Sequence, residues 1–462
     1  MKIAIKTLGC KVNQSESSLI MGRLKENGHD IVRTLKDNLD TSRDRPDICI
    51  INTCTVTAKS DYQSRQMIRR AVKTGAKVVA TGCYAQLRPD ELSKIKGLDL
   101  ILGNEQKSRI HEYLPKLMEK NPDEPVTVVL TAPAEMPTGK ACLLSGSYAA
   151  GMQAGSYVSD RARAFLKIQD GCDFSCSYCA VPMARGKSRS LPEERVLTEA
   201  EKFVKMGYKE IVITGIHIGC YGLDLKPESS LLTIVSKIAG RNPLTRFRLS
   251  SIEPQEFQKG FLSMIKQVGI ARSQGNICPH VHIPLQSGSD NILKAMDRRY
   301  TASFFKELIN DIALECPDIS IGTDVIAGFP GETEEDFKQT KHLLESLPIS
   351  YMHVFPYSQR PGTKAASMSG QINGGIRKKR ARVLLEIAKK KKNAYMAKHL
   401  GRILNVLVER KEPTGGFYRA ISDNYIRSLV RADNLIAGQI VRVKACSLAN
   451  EELICETIPV HG

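Results

Sequence analysis

GCDFSCSYC, residues 171–179, is the stretch from which the fold can be read. It follows an apolar run, 164–169, with the composition of a strand. Cys172, Cys176 and Cys179 stand at C-x3-C-x2-C spacing, three soft ligands in one short loop. Thiolates select zinc, copper(I) or iron–sulfur clusters. A structural zinc takes four protein ligands, usually as paired groups, and here the local count stops at three. Three thiolates on a cubane 4Fe–4S cluster leave one iron without a protein ligand, open to another molecule. A zinc completed by a distant residue, or three ordinary loop cysteines, is the alternative for this loop taken alone.

Downstream of the loop, strand-like and helix-like stretches alternate. Strands are expected at 164–169, 210–214, 246–251, 280–284, 322–326 and 351–355, with helices such as 193–206, 231–239 and 302–314 between them. Six such units predict an incomplete (β/α) barrel, in which ligands bind at the C-terminal ends of strands. The cysteine loop occupies that position after the first strand. Other strand ends run into glycine-containing turns at 214–219, 284–290 and 327–332. Each is either a tight connection or a place where backbone approaches a ligand.

Upstream, the same alternation has a shorter period. Strands at 2–6, 47–51, 77–80 and 98–102, with helices at 15–26 and 60–73, predict an open parallel α/β sheet. Cys10, Cys54 and Cys83 each follow one of the first three strands. Parallel strands send their C-terminal ends to one edge, where ligands bind in such sheets. A second three-thiolate site is therefore expected from placement, with no help from local spacing. Cys49, inside a strand, reads as core. Cys142, Cys220, Cys278, Cys316, Cys446 and Cys455 are isolated and read as structural, Cys220 with a second possibility because it lies beside the 214–219 turn. His217 and His282 read as packing or hydrogen-bonding residues. Residues 121–160 lose the pattern and read as a strand or two followed by a linker, or as an ordered strand pair.

The chain carries 67 Lys and Arg against 49 Asp and Glu, a net of +18, which favours a polyanionic partner over basic surface kept for solubility. Arg185 and Arg189 follow the cysteine loop, and Arg298 and Arg299 follow the fourth barrel strand. Residues 376–400 form a basic helical pattern with Ile376, Val383, Leu384 and Ile387 on its apolar side. Residues 377–380 and Lys389, Lys390, Lys391 and Lys392 bring eight positive charges to it. These cations are read as phosphate contacts or as a solvated face, Arg185 alternatively as an anchor for the loop. Residues 401–458 change to short alternating strands at 403–409, 425–430, 440–445 and 452–457, as in a five-stranded, OB-like β-barrel. Phe417, Tyr418 and Tyr425 are aromatic residues for base stacking or for its core. The N-terminus has no long apolar stretch and no run reaches a membrane span. Thirteen cysteines then argue for thiolate chemistry in a cytoplasmic chain rather than for disulfides.

Taken together, Thr-Leu-Gly-Cys10-Lys-Val-Asn-Gln, Ile-Asn-Thr-Cys54-Thr-Val-Thr and Thr-Gly-Cys83-Tyr-Ala-Gln, followed by C-x3-C-x2-C with Tyr178 before the last cysteine, resemble the radical S-adenosylmethionine (SAM) methylthiotransferases. The resemblance is closest to the MtaB-like subgroup, which acts on N6-threonylcarbamoyladenosine beside the anticodon of tRNA. It implies that Cys172, Cys176 and Cys179 hold a 4Fe–4S cluster whose open iron chelates SAM. It implies an auxiliary 4Fe–4S cluster on Cys10, Cys54 and Cys83, and SAM serving both as radical source and as methyl donor. Thr214 and Gly215 would lie near the SAM amino group, Gln286 and Ser287 on the ribose side, and Ala327, Gly328 and Gly331 near the adenine, with Tyr178 beside the cofactor.

The domain plan that follows is a methylthiotransferase N-terminal α/β domain at 1–125, connecting strands or linker at 126–160, a radical SAM partial barrel at 161–395 and an RNA-binding TRAM barrel at 398–462. The expected partners are a tRNA anticodon stem-loop, a reductant protein or small electron donor, and an unidentified sulfur source, with no membrane. Two alternatives stand beside this: the same chemistry on isopentenyladenosine or on a ribosomal-protein aspartate, and a non-catalytic, metal-stabilised RNA-binding protein.

Overall fold

The structure is a computed structural model that describes residues 1–32, 45–121, 124–131, 161–270 and 277–458. Two compact units do not follow chain order. The first comprises 1–160 together with 169–191 and 359–363; the second comprises 161–168, 192–358 and 364–462. The cysteine loop thus belongs to the unit that carries the N-terminal sheet.

In the first unit, six strands form one parallel sheet: β1 (Lys2–Thr7), β2 (Asp30–Val32), β3 (Ile48–Thr53), β4 (Lys77–Gly82), β5 (Leu100–Leu102) and β6 (Thr127–Val129), in the order β2-β1-β3-β4-β5-β6. Every residue of β3, Ile-Cys-Ile-Ile-Asn-Thr, is buried. Such unbroken apolar runs belong to parallel strands covered on both faces. Two clusters share the work, one around Cys49, Ile51, Ile68 and Tyr84, the other around Ile5, Ile20, Leu24 and Ile50. Cys49 is core, as its place inside a strand implied. β2 was not anticipated; it is three residues long and carries too little pattern. The helix Ala58–Val72 starts where the Thr57 side chain accepts from Ser60 N, an N-cap contributing about 1 kcal/mol. The helix Lys11–Glu26 begins four residues earlier than its apolar periodicity predicts, because polar residues occupy its buried face. Most of 126–160, Cys142 included, lies outside the described residues.

In the second unit, Ala164–Lys167, Glu210–Thr214 and Arg246–Leu249 form one parallel sheet, and His280–His282, Ser320–Ala327 and Tyr351–Pro356 another. Parallel bridges Phe247 to Ile277 and Ser251 to His282 join them. Six parallel strands with intervening helices make the open, partial barrel expected from the sequence. A closed five-stranded barrel ends the unit: Ile403–Lys411, Phe417–Ser422, Arg427–Arg431, Ile440–Ala449 and Glu452–Thr457. The strand Phe417–Ser422 was read from sequence only as a source of stacking aromatics. Arg248, fully buried, joins the two barrels. Its Nε donates to Glu210 Oε1 at 2.8 Å, and its Nη1 and Nη2 donate to Asp423 O at 2.8 Å and Ser422 O at 3.1 Å. Among the described residues no helix is long and apolar enough to cross a membrane.

Candidate active site

Cys10, Cys54 and Cys83 occupy corresponding places in the first unit. Cys10 caps the helix Lys11–Glu26, Cys54 follows β3, and Cys83 opens the short helix Cys83–Leu87 directly after β4. The three thiols lie within electrostatic range of one another. Cys10 is exposed as a residue, Cys83 half-buried and Cys54 buried, and burial raises the Cys10 thiol as well. Burial pushes the Cys54 thiol up to about 12, so a bound cation is needed to hold it as thiolate. Two glycines at positive φ bring the loops together. Gly9 has φ +94°, and a Cβ there would lie 2.6 Å from Cys54 Sγ; Gly82 has φ +96°, and a Cβ there would lie 2.4 Å from Thr53 O. Beside Gly82, Asn52 Oδ1 is buried with no hydrogen-bond partner among the described residues.

The second triad sits on a tight local frame. Cys172 N donates to Gly186 O at 3.1 Å, and Cys179 N donates to Cys176 O at 3.0 Å. Two backbone amides reach the sulfurs themselves, Phe174 N to Cys172 Sγ and Val181 N to Cys179 Sγ, each at 3.4 Å. Hydrogen bonds to cysteine sulfur are among the means by which a protein tunes an iron–sulfur cluster. Each set offers three soft thiolates, the donors that iron–sulfur clusters take: Cys10, Cys54 and Cys83 for one, Cys172, Cys176 and Cys179 for the other.

Between the triads runs a buried polar network that sequence reasoning missed. Arg185 is 2% exposed. Its Nη1 donates to Glu16 Oε1 and Asp170 Oδ1, both at 2.9 Å, and its Nη2 donates to Asn13 Oδ1 at 2.8 Å. Lys107 Nζ donates to Glu16 Oε2 at 2.5 Å and to Asn104 Oδ1 at 2.8 Å. Asn13 Nδ2 in turn donates to Leu8 O at 2.9 Å and Thr53 O at 3.0 Å, tying the ends of β1 and β3 to the first helix. Asn104 Nδ2 donates to Ala184 O at 2.7 Å and lies 4.0 Å from Cys83 Sγ. Two cations and two carboxylates balance there, and Arg185 stands within electrostatic range of Cys10 and Cys83. The only sequence signal was the polar run Val-Asn-Gln-Ser-Glu-Ser at 12–17 inside a helix. Residues 359–363 join the same unit: Arg360 Nη1 donates to Asp61 Oδ2 at 2.5 Å, and Asp61 Oδ1 accepts from Thr55, the residue after Cys54, at 2.7 Å.

Arg185 takes the second of its two expected roles, the buried anchor of the loop. Several other expected phosphate contacts are corrected. Arg189 donates from Nη2 to Arg185 O at 2.7 Å, completing the loop frame. Arg298 is buried and paired with Glu253, with its guanidinium over Tyr300. Lys391 donates to Glu345 O and Leu347 O at 2.6 Å, closing a helix C-terminus, and burial lowers its pKa. Lys392 pairs with Glu451 at 3.3 Å. Arg299, Lys389 and Lys390 are exposed, as are Lys378 and Lys379. Ile376, placed on the apolar side from sequence, is 48% exposed.

In the second unit, Thr214 ends its strand and Gly215 follows. Gln286 has φ +63° and donates from N to Asp324 O at 2.8 Å. Ser287 is fully buried, its hydroxyl shared with Thr340 Oγ1 at 3.3 Å and Ser289 N at 3.2 Å, so it supports the turn from beneath and does not face a ribose. Gly328 has φ +75° and donates to Glu332 Oε2 at 2.8 Å, while Gly331 has φ +81° and donates to Gly370 O at 2.9 Å. Ala327 is fully buried. Arg380 holds Glu332 from the helix Gly374–Ala397 at 2.7 Å, so part of that helix's charge is structural. Tyr178 is half-buried on the cysteine loop. His217 Nε2 bonds Glu256 Oε2 at 2.8 Å, and Cys220 Sγ donates to Glu256 Oε1 at 3.4 Å. Tyr418 is 4% exposed, and Tyr425 packs on His280, 4.3 Å between centroids, so both serve the core rather than bases. Cys278, Cys316 and Cys455 are buried, whereas Cys446 is exposed, against expectation.

A family model described as "Radical SAM superfamily" matches residues 166–344, and one described as "Uncharacterized protein family UPF0004" matches 2–103. Threonylcarbamoyladenosine tRNA methylthiotransferase MtaB of Aquifex aeolicus is 37% identical, over 96% of this chain and all of that protein. The chain belongs to the radical SAM tRNA methylthiotransferase family. MtaB of Bacillus subtilis is 34% identical, over 96% of this chain and 93% of that protein. The tRNA-2-methylthio-N(6)-dimethylallyladenosine synthase of Methylacidiphilum infernorum is 32% identical, over 88% of this chain and 84% of that protein. The solved radical S-adenosylmethionine methyltransferase TsrM of Kitasatospora setae, with cobalamin and a 4Fe–4S cluster bound, has the same fold in large part. Its TM-score is 0.56 at 15% identity, over 79% of this chain and 74% of that one.

Proposed function

We propose that this chain installs a methylthio group at C2 of N6-threonylcarbamoyladenosine beside the tRNA anticodon. The observation that carries the substrate is identity along the whole chain to relatives named for that nucleoside, 37% over 96% of it. The chemistry rests on two three-cysteine sets, each suited to a 4Fe–4S cluster with one open iron. Adenine C2 bears an aromatic C–H that no side-chain base deprotonates at useful rates; SAM and the two clusters, when bound, supply radical and sulfur chemistry there. The chain's own part is to hold and exclude. Cys172, Cys176 and Cys179 hold the SAM-chelating cluster, and the amides of Phe174 and Val181 steady two of its sulfurs. Cys10, Cys54 and Cys83 hold the auxiliary cluster, positioned by Gly9, Gly82, Asn13 and the Arg185 network.

Thr214, Gly215, Gln286, Ala327, Gly328 and Gly331, with Tyr178, are the proposed SAM contacts. Exposed Arg299, Lys389 and Lys390, and the C-terminal barrel in the manner of a TRAM domain, are the proposed tRNA contacts. An external one-electron donor is required, and the enzyme works in the cytoplasm, where charged tRNA pools and reduced thiols coexist. The test is nucleoside mass spectrometry on tRNA from cells lacking the chain. The 2-methylthio-N6-threonylcarbamoyladenosine signal should vanish and its unthiolated precursor accumulate; persistence of the product in the absence of a second such enzyme overturns the assignment. A dimethylallyl substrate is the second reading, favoured by the 32% identical synthase; loss of the 2-methylthio-dimethylallyl nucleoside instead would establish it.

A further inference from the structure

Three neighbouring strands of the second unit carry polar groups on one face. The register pairs His282 with Gly322 and Asp324 with His353. Side chains alternate along a strand, so His280 and His282, Gly322 and Asp324, and Tyr351 and His353 share that face. Their contacts confirm it. Asp324 Oδ1 bonds His282 Nε2 and His353 Nδ1, each at 3.0 Å. The Tyr351 hydroxyl bonds His280 Nε2 at 2.8 Å and His282 Nδ1 at 3.1 Å. Glycine at 322 is what admits Tyr351, since a Cβ there would lie 2.2 Å from Tyr351 Cζ.

The network opens in one direction. Side-chain exposure rises from 6% at His282 to 26% at Asp324 and 56% at His353. His353 lies on Tyr351–Pro356, the last strand of its sheet, with Phe355 two residues on and 37% exposed. Burial raises the Asp324 carboxyl, but the two flanking imidazoles outweigh it and hold the group below the usual carboxylate range. An anion, three imidazoles and a phenol on one barrel face cost desolvation that an apolar set would avoid. Held through Nδ1 on a side chain 56% exposed, His353 keeps Nε2 for a ligand. That atom accepts from a hydroxyl or ureido N–H when neutral and donates to a carboxylate when protonated.

A relative named for a dimethylallyl nucleoside also resembles this chain, at 32% identity against 37% for a relative named for the threonylcarbamoyl nucleoside. Overall similarity favours the polar, carboxylate-bearing substituent; which residues would contact it is a local question. We propose that His353, aligned by Asp324 and backed by His282 and Tyr351, is the specificity determinant that hydrogen-bonds the threonylcarbamoyl group. The inference rests on the threonylcarbamoyl reading above. The same three residues bring ligand atoms within 4.8 Å of one another, but both imidazoles bond one carboxylate oxygen, so the set is satisfied without an ion.

The test uses the reconstituted holoenzyme and two anticodon stem-loop RNAs, one bearing N6-threonylcarbamoyladenosine and one with plain adenosine at the same position. Their Kd values are compared for the unaltered chain, His353→Leu, His353→Gln and Asp324→Asn, each checked for an unchanged melting profile. The unaltered chain should favour the modified RNA by about 10–100-fold. His353→Leu should bring that ratio near one by weakening only the modified RNA, with His353→Gln retaining part of it and Asp324→Asn falling between. A ratio that survives His353→Leu in full overturns the inference, as does a ratio abolished by dialysis against a chelator under conditions that leave the clusters intact. If the unaltered chain neither prefers nor methylthiolates the modified RNA, the substrate reading itself fails.

Discussion

The two cysteine triads reach the same donor set by opposite routes. Cys172, Cys176 and Cys179 span eight residues, and their frame is local, made by amides of the same loop and by Gly186. Cys10, Cys54 and Cys83 span 74 residues and meet only because three parallel strands end at one edge. The first site is a property of a loop; the second is a property of the fold. Damage to the sheet should therefore remove one site while sparing the other. The boldest form of that difference is Cys83→Ala. Iron should fall from about eight to about four per chain, methylthio product should disappear, and SAM cleavage to 5′-deoxyadenosine should persist. Cys176→Ala should abolish SAM cleavage. Equal loss of both activities in Cys83→Ala, measured on anaerobically reconstituted protein, would break the distinction.

Glu16 is where the comparison is most exposed to challenge, because its carboxylate serves both sites. It faces Arg185 from the loop that carries one triad and Lys107 from the helical segment Gln106–Glu112 that follows β5 of the sheet that carries the other. Removing one partner from a buried ionic network costs about 3–5 kcal/mol, since the remaining charges stay buried. Glu16→Gln should lower unfolding free energy by about that amount in denaturant titration, and it should weaken iron retention at both triads together. Selective loss at one triad would show that the two frames are independent.

Gly82→Ala separates them again at smaller cost. Alanine at φ +96°, with its Cβ against Thr53 O, carries about 1–3 kcal/mol of strain. That strain falls on the loop holding Cys83, so iron should drop toward half while SAM cleavage stays. Gly171→Ala, whose Cβ would lie 1.9 Å from Lys187 O, should do the reverse. Iron content beside 5′-deoxyadenosine yield distinguishes the pair.

The same contrast explains what the sequence did and did not disclose. Spacing identified the loop, and strand–helix alternation located the six barrel strands to within a few residues; Glu210–Thr214 matched at both ends. Alternation also placed Cys10, Cys54 and Cys83 at one edge, because parallel topology follows from apolar runs alone. An anchor role for Arg185 was one of two readings open to the sequence, but its partners Glu16, Asp170 and Asn13 stayed hidden, since an arginine beside a loop looks alike whether it is solvated or sealed between two carboxylates. Ser287 was misread for a related reason: its hydroxyl is equally suited to a ribose and to Thr340, and only packing decides. The phosphate contacts were over-assigned because charge is visible in sequence and burial is not. Arg298, Lys391 and Lys392 were already spoken for by Glu253, Glu345, Leu347 and Glu451.

A partner contact is more distributed still than the sheet-edge triad, and it gives the smallest effect. Lys389 and Lys390 are exposed on the helix Gly374–Ala397, while on the same turn Lys391 closes a helix end and Lys392 forms a partly exposed pair with Glu451. Each phosphate neutralised by a cation adds about 0.7–0.9 to the salt slope of binding. Replacing both exposed lysines with alanine should weaken tRNA binding a few-fold near physiological salt and reduce the slope by about 1.4–1.8, with stability unchanged. Lys391→Ala should do the opposite, lowering stability because it removes the cation that closes a helix end, with little change in slope. Titration of RNA affinity against salt, set beside thermal unfolding, reads both outcomes. An unchanged slope in the double variant would move the RNA contact off this helix face, and a changed slope in Lys391→Ala would mean that its carbonyl contacts yield to phosphate.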